Sequence, residues 1–240
     1  MEQSFSSWLV EQGPFYRETI LKLLGGVPLT LQLTFWSILF GGAFALVLAM
    51  MSQSRLRPVA ALAKTYVFVF RGTPLLVQMF LIYYGLAQFP EVRQSILWPF
   101  LREPWFCAVL ALALNTAAYT TEILRGGLQA VPHGQVEAAR ACGMSGALLY
   151  RRVILPVALR QALPSYATEV ILMVRATALA SIITLMEITG IAQKINSQTF
   201  RAVEVFICAG AVYLAINFIL SRLFLLLEHR LTPHLRPMKA

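Results

Sequence analysis

Asn115, Tyr119 and Glu122 recur at the i, i+4, i+7 spacing of one helix face. They close an apolar run, Pro104 to Thr121, that contains no Asp, Glu, Lys or Arg, and Thr116 and Thr120 flank the same face. Glu169 and Arg175 interrupt a second apolar stretch, six residues apart and therefore on different faces. A carboxylate in such a place could hold a cation, a guanidinium an anion, and an amide either. Ionisable groups inside membrane helices are costly and are functional candidates by default. The same residues could instead be polar contacts between helices. Glu122, close to one end of its helix, could pair with Arg125 or Arg71.

The elements that must carry these residues follow from composition. Of 240 residues, 58% are hydrophobic and only 13% charged, with mean hydropathy +0.67. Soluble domains average about 25% charged residues. Leu23 to Ser54, Gly72 to Pro90 and Val205 to Ser221 are also free of charged residues. A membrane-spanning helix needs about 20 mostly apolar residues. An all-α membrane protein with five transmembrane helices is expected, over residues 28–52, 59–88, 103–129, 161–186 and 204–227. The N-terminus lacks a basic leader, so no cleaved signal peptide is expected.

Basic residues set the orientation. Arg55, Arg57, Lys64, Arg125, Arg140, Arg151, Arg152, Arg160, Arg222, Arg230, Arg236 and Lys239 fall on one side. Only Arg17, Lys22, Arg93, Arg102, Lys194 and Arg201 fall on the other. The richer side is cytoplasmic by the positive-inside rule, which leaves the N-terminus outside and the C-terminus inside. The net charge of +9 then reflects topology, and no nucleic-acid partner is expected.

Several chemistries are excluded by what is missing. There is no G-x-x-x-x-G-K-[ST] phosphate loop and no G-x-S-x-G elbow. His133, His229 and His234 have no metal spacing, and Cys107, Cys142 and Cys208 are few and scattered. No enzyme, no cofactor and no metal site is expected in this chain. If it moves a solute uphill, the energy comes from an ion gradient or from a partner that hydrolyses ATP.

One stretch on the basic side is helical but not apolar. From Gln135 to Ser165 it reads "QVEAARACGMSGALLYRRVILPVALRQALPS". Its Ala and Leu content favours helix, "GMSG" interrupts it, and Pro156 calls for a bend or a new start. Two short helices joined by a glycine turn are expected, about 134–142 and 147–154. Glu137 would project from the first, and Arg151 and Arg152 from the second. Such order exceeds what a plain loop needs and suits a docking element.

Glu137-Ala138-Ala139, Gly143 and the Val153-Ile154-Leu155-Pro156 ending, at their spacing here, resemble the EAA signature of ABC-importer permeases, E-A-A-x3-G-x9-I-x-L-P. Val153 stands where that family has Ile. "FRGTPLLVQMFLIYYG" (70–85) and "LNTAAYTTEILRGGLQAVPHGQVEAARACG" (114–143) are similar to segments of the polar amino acid permeases. The similarity is strongest to the histidine/lysine/arginine/ornithine and octopine/nopaline types. The resemblance implies a type I permease fold as a single transmembrane domain over 1–240, with a cytoplasmic coupling segment at about 134–156. It implies residence in a bacterial inner membrane. It also implies a second permease subunit, two ATPase subunits that bind ATP and Mg, and a periplasmic substrate-binding protein. Glu137, Ala138, Ala139, Gly143, Leu155 and Pro156 would then couple to the ATPase, Gly143 by permitting the turn.

For a transported amino acid, the ammonium needs an acid and the carboxylate needs a cation. Asn115, Tyr119, Glu122, Glu169 and Arg175 could supply such groups as a substrate pathway. Arg71 could reach the headgroups or close a gate, and Pro74 could be a fixed kink or a hinge. A stand-alone ion-coupled transporter and a non-transporting membrane assembly subunit are the competing readings.

Overall fold

Hydrogen-bonding groups of the backbone cannot be left unpaired among lipid tails, so apolar runs of this length must fold as helices. The computed structural model describes the backbone of residues 2–231 and the side chains of 13–231. Its elements are helical, with no strand among the described residues. In chain order they are α1 (Glu2–Leu24), α2 (Val27–Ser52), α3 (Arg57–Gly72), α4 (Leu75–Phe80), α5 (Pro90–Arg93) and α6 (Trp98–Leu101). There follow α7 (Pro104–Gln129), α8 (His133–Ala141), α9 (Gly146–Leu149), α10 (Leu155–Ala176), α11 (Ile188–Thr199) and α12 (Ala202–Leu231). Of the twelve residues on the basic side, Arg236 and Lys239 lie outside the described residues, as does His234.

Four helical stretches are long and apolar enough to cross a membrane: Gly13–Ser52, Pro104–Gln129, Gly146–Ile183 and Ala202–Leu231. The expected second span is not one straight helix. Arg57–Gly72 and Leu75–Gln88 are bent by 103° across a short break, so the count is four, or five if the bent pair is one span. Pro74 is the reason. It has no N–H to continue the ladder, and Thr73, just before it, is extended (φ −113°, ψ 144°). The helix α1, which precedes the first expected span, has no counterpart among the five.

The chain forms two compact units. The first comprises Met1–Trp36, Leu76–Leu112 and Met173–Ile219. Its core joins Leu23 to Ile188, Ala192 and Ile195 of α11 and to Val205, Cys208, Ala209 and Val212 of α12. The second comprises Ser37–Leu75, Ala113–Leu172 and Leu220–Ala240. Small residues set its packing: Ala117 sits with Leu48 and Ala63 in one buried cluster. A Cβ on Gly41 would meet Thr116 and stand 2.7 Å from the Ala113 carbonyl oxygen. Close helix approach through small residues is the usual device of membrane bundles. Only 22% of the most apolar stretch of α12 is buried, and Leu214 and Phe218 on it are exposed. A surface this apolar is meant for lipid or for another membrane subunit.

Candidate functional site

Every candidate on α7 lies in the second unit, and α3 and α10 supply its partners. Pro74 cannot donate to the carbonyl of Phe70, its partner four residues back. Asn115 Nδ2 donates to that oxygen instead, at 3.4 Å. Thr73 Oγ1 donates to the Val69 carbonyl at 2.8 Å. The end of α3 is therefore closed by side chains. Tyr66 adds to the same joint: it stacks on Phe70 with ring centroids 4.4 Å apart and donates its hydroxyl to the Leu114 carbonyl at 2.7 Å.

At the next residue, Thr116 Oγ1 donates to Glu169 Oε1 at 2.7 Å, with both side chains buried. No cation lies within ion-pair distance of Glu169 among the described residues. Such a carboxylate is a strong acceptor with capacity to spare.

Below this pair, Arg71 lies over the ring of Tyr119, its guanidinium carbon 5.2 Å from the centroid. It also reaches Glu122 at 3.9 Å. Arg125 holds Glu122 more closely, through Nε at 3.1 Å and a terminal nitrogen at 2.6 Å, and is itself steadied by Gln129 at 3.0 Å. Glu122 thus pairs with both arginines. Arg71, Tyr119, Glu122, Gln161 and Ser165 line a cavity of about 400 Å³. The face of α7 thereby presents, in sequence, an amide, a hydroxyl beside a buried acid, an aromatic ring and an ion pair. That arrangement can hold a small solute carrying both signs of charge.

Arg175 belongs to the other compact unit, the first. It is exposed and lies in the last turn of α10. It forms no ion pair among the described residues. A buried acid that the sequence reading did not single out, Glu187, also sits in the first unit. Its Oε1 accepts from the Gly190 N–H at 2.8 Å and its Oε2 from the Tyr213 hydroxyl at 2.6 Å. Burial pushes its carboxyl above the usual range, while these donors act in the opposite direction. The signal in the sequence was an acid placed one residue before a helix, where its side chain can cap the first turn.

The docking stretch lies wholly in the second unit. α8 ends in a turn closed by its own backbone: Gly143 N–H donates to Arg140 O at 2.9 Å and Met144 N–H to Ala139 O at 3.0 Å. Gly143 has φ +80°, the left-handed conformation that this closure demands and that glycine adopts without a Cβ clash. Ala139 and Leu149 are buried. Glu137, Ala138, Arg151, Arg152 and Leu155 are exposed. The second short helix does not end before Pro156, as the sequence suggested. α9 passes through a π-helical turn, Tyr150–Ile154, straight into α10, so Gly146–Ile183 is one helical stretch. The wider turn accommodates a proline whose missing N–H would have paired with Arg152. Proline restarts the register here without breaking the rod. Among the described residues no group of His, Cys, Asp and Glu could hold a metal.

With this geometry in hand, comparisons place the chain. Residues 30–233 match the family described as the binding-protein-dependent transport system inner membrane component. The chain is 59% identical over 222 residues to the octopine transport system permease protein of Rhizobium radiobacter, covering 92% of this chain and 91% of the relative. It is 43% identical over 213 residues to the histidine/lysine/arginine/ornithine transport system permease protein of Escherichia coli K12, covering 88% and 90%. A solved amino acid ABC transporter with histidines matches with TM-score 0.78 and 38% identity, over 92% of this chain and 96% of that one. The chain, multi-pass and all-helical, belongs to the inner-membrane permease components of binding-protein-dependent ABC transporters.

Proposed function

We propose that this chain forms half of the translocation pathway of an ATP-driven importer for a polar solute, a basic amino acid or an opine. The N-terminus faces the periplasm, and the bent pair α3 and α4 completes five spans. A second, similar permease supplies the other half. Two ATPase subunits, which bind ATP and Mg, dock from the cytoplasm, and a periplasmic binding protein delivers the solute. Names of the relatives support the solute class.

The observation that carries the coupling role is the direct helical continuity from the exposed docking pair into α10. Glu137, Ala138, Ala139 and Gly143 form the head of this lever, and Leu155 and Pro156 its neck. When the ATPases close on ATP, a rigid head joined to a spanning helix passes the motion inward. The energy is the difference in binding between the two states. Asn115, Tyr119, Glu122 and Glu169 line the pathway, with Glu169 taking the cationic group of the solute. Arg71 and Pro74 lie at the bend that such motion would work, and Arg175, in the other unit, remains a pathway candidate for the anionic group of the solute.

The test is purification and reconstitution. The chain should bring down an ATPase, and uptake should require ATP. Uptake driven by a proton gradient without ATP would overturn the proposal. Binding of a panel of amino acids and opines to the cognate binding protein identifies the solute.

A further inference from the structure

Arg160 borders two cavities, one strongly apolar and one mixed, both within the second unit. One is an apolar groove of about 780 Å³. Ile38, Leu39 and Leu46 of α2, Leu124 of α7, and Leu159 and Leu163 of α10 form much of its wall. The other, about 450 Å³, is lined by Pro132, Gln135, Val157, Gln161 and Arg160 itself. Neither lining contains an acid. Arg160 is exposed and forms no ion pair among the described residues. An apolar trough and a smaller chamber of mixed polarity that share one uncompensated cation suit an amphiphile with a negative head.

We infer that this pair of cavities binds an anionic phospholipid of the surrounding bilayer, one acyl chain in the groove and the phosphate on Arg160. This rests on the chain's place in the membrane and is independent of which solute it carries. The groove lies among stretches long enough to span a bilayer, so lipid is always at hand. Charge complementarity argues for a lipid over a protein segment as the occupant: a lipid phosphate pairs with the guanidinium that borders the trough, whereas an apolar helix offers it no partner. Four of the charged residues from α8 to Arg160 are basic (Arg140, Arg151, Arg152, Arg160) and one is acidic, Glu137. Basic pockets between membrane helices are known headgroup sites. The chamber borders Gln135 in the first turn of α8, so the bound headgroup touches the docking segment itself.

The experiment uses the assembled transporter, with its partner permease and ATPases, reconstituted in phosphatidylcholine vesicles with or without phosphatidylglycerol. Co-purified phosphatidylglycerol is counted by native mass spectrometry. Arg160→Gln should lower it about fivefold, the weight of one cation at an anionic surface, and Arg160→Lys should largely retain it. Gly42→Trp, which fills the groove from α2, should lower it while leaving Arg160 in place. Co-purification of the ATPase checks assembly of each variant. Equal phosphatidylglycerol in all variants and wild type overturns the inference. So does a disulfide formed between cysteines placed at Leu39 and on the partner permease, because the groove would then be covered by protein. Neither result bears on ATP-driven uptake.

Discussion

The docking segment and the polar face of α7 solve opposite problems. The docking segment is nearly all exposed, and its shape comes from the backbone: a left-handed glycine, two closing hydrogen bonds and a helix that does not stop at proline. Its charged side chains make no ion pairs among themselves and remain available to a partner. On α7 the polar groups are mostly buried, and their places come from one another, through Asn115 to Phe70, Thr116 to Glu169 and Arg125 to Glu122. Exposed charges can stay free because water solvates them, whereas buried polar groups must satisfy one another, because an unpaired buried group is expensive.

Four substitutions sharpen or break that contrast. Glu137→Lys reverses a free charge on the docking face, and uptake should fall to background with unchanged chain in the membrane fraction on immunoblot. Full solute-stimulated ATPase activity in that complex would remove Glu137 from coupling. Glu169→Gln keeps an acceptor for Thr116 but deletes the charge, so uptake of a cationic solute should drop about tenfold, a loss near 1.4 kcal/mol. Unchanged uptake, with unchanged discrimination between cationic and neutral amino acids, would take Glu169 out of the pathway. Gly143→Ala forces a Cβ into the left-handed region at a cost of about 1–2 kcal/mol. It should loosen the docking pair, visible as faster hydrogen exchange over 139–149, and lower uptake in part. Exchange indistinguishable from wild type would mean the turn survives without glycine. Arg71→Gln should matter least to stability: Glu122 keeps Arg125, and a partly exposed pair at 3.9 Å is worth about 0–1 kcal/mol. A large drop in melting temperature would show that Arg71, not Arg125, holds Glu122.

The two regions also differ in how far they could be read from the chain. The docking segment is contiguous, so its glutamate, glycine and proline carry their spacing in plain view, and its helix limits are met within about a residue at α8. The exception is instructive. Proline usually ends a helix, but here the preceding π-helical turn absorbs the missing donor, and that adjustment leaves no mark in residue types. The α7 face was legible as a set of residues, because helical periodicity aligns 115, 119 and 122. The arginine partners of Glu122 were legible too, but the pairing of Asn115 with Phe70 and of Thr116 with Glu169 was not, because these meet only through tertiary packing. Arg175, an ionisable residue in an apolar stretch and so a candidate by rule, belongs to the other compact unit, a partition that residue types do not reveal. Glu187 escaped notice because it sits between two apolar stretches instead of within one.

The glycine turn has a practical consequence. Cys107 and Cys208 are buried, whereas Cys142, one residue before Gly143, is exposed. A maleimide dye or spin label applied to the unmodified chain should therefore attach at the tip of the docking segment and nowhere else among the described residues. The chain carries its own reporter beside the glycine turn.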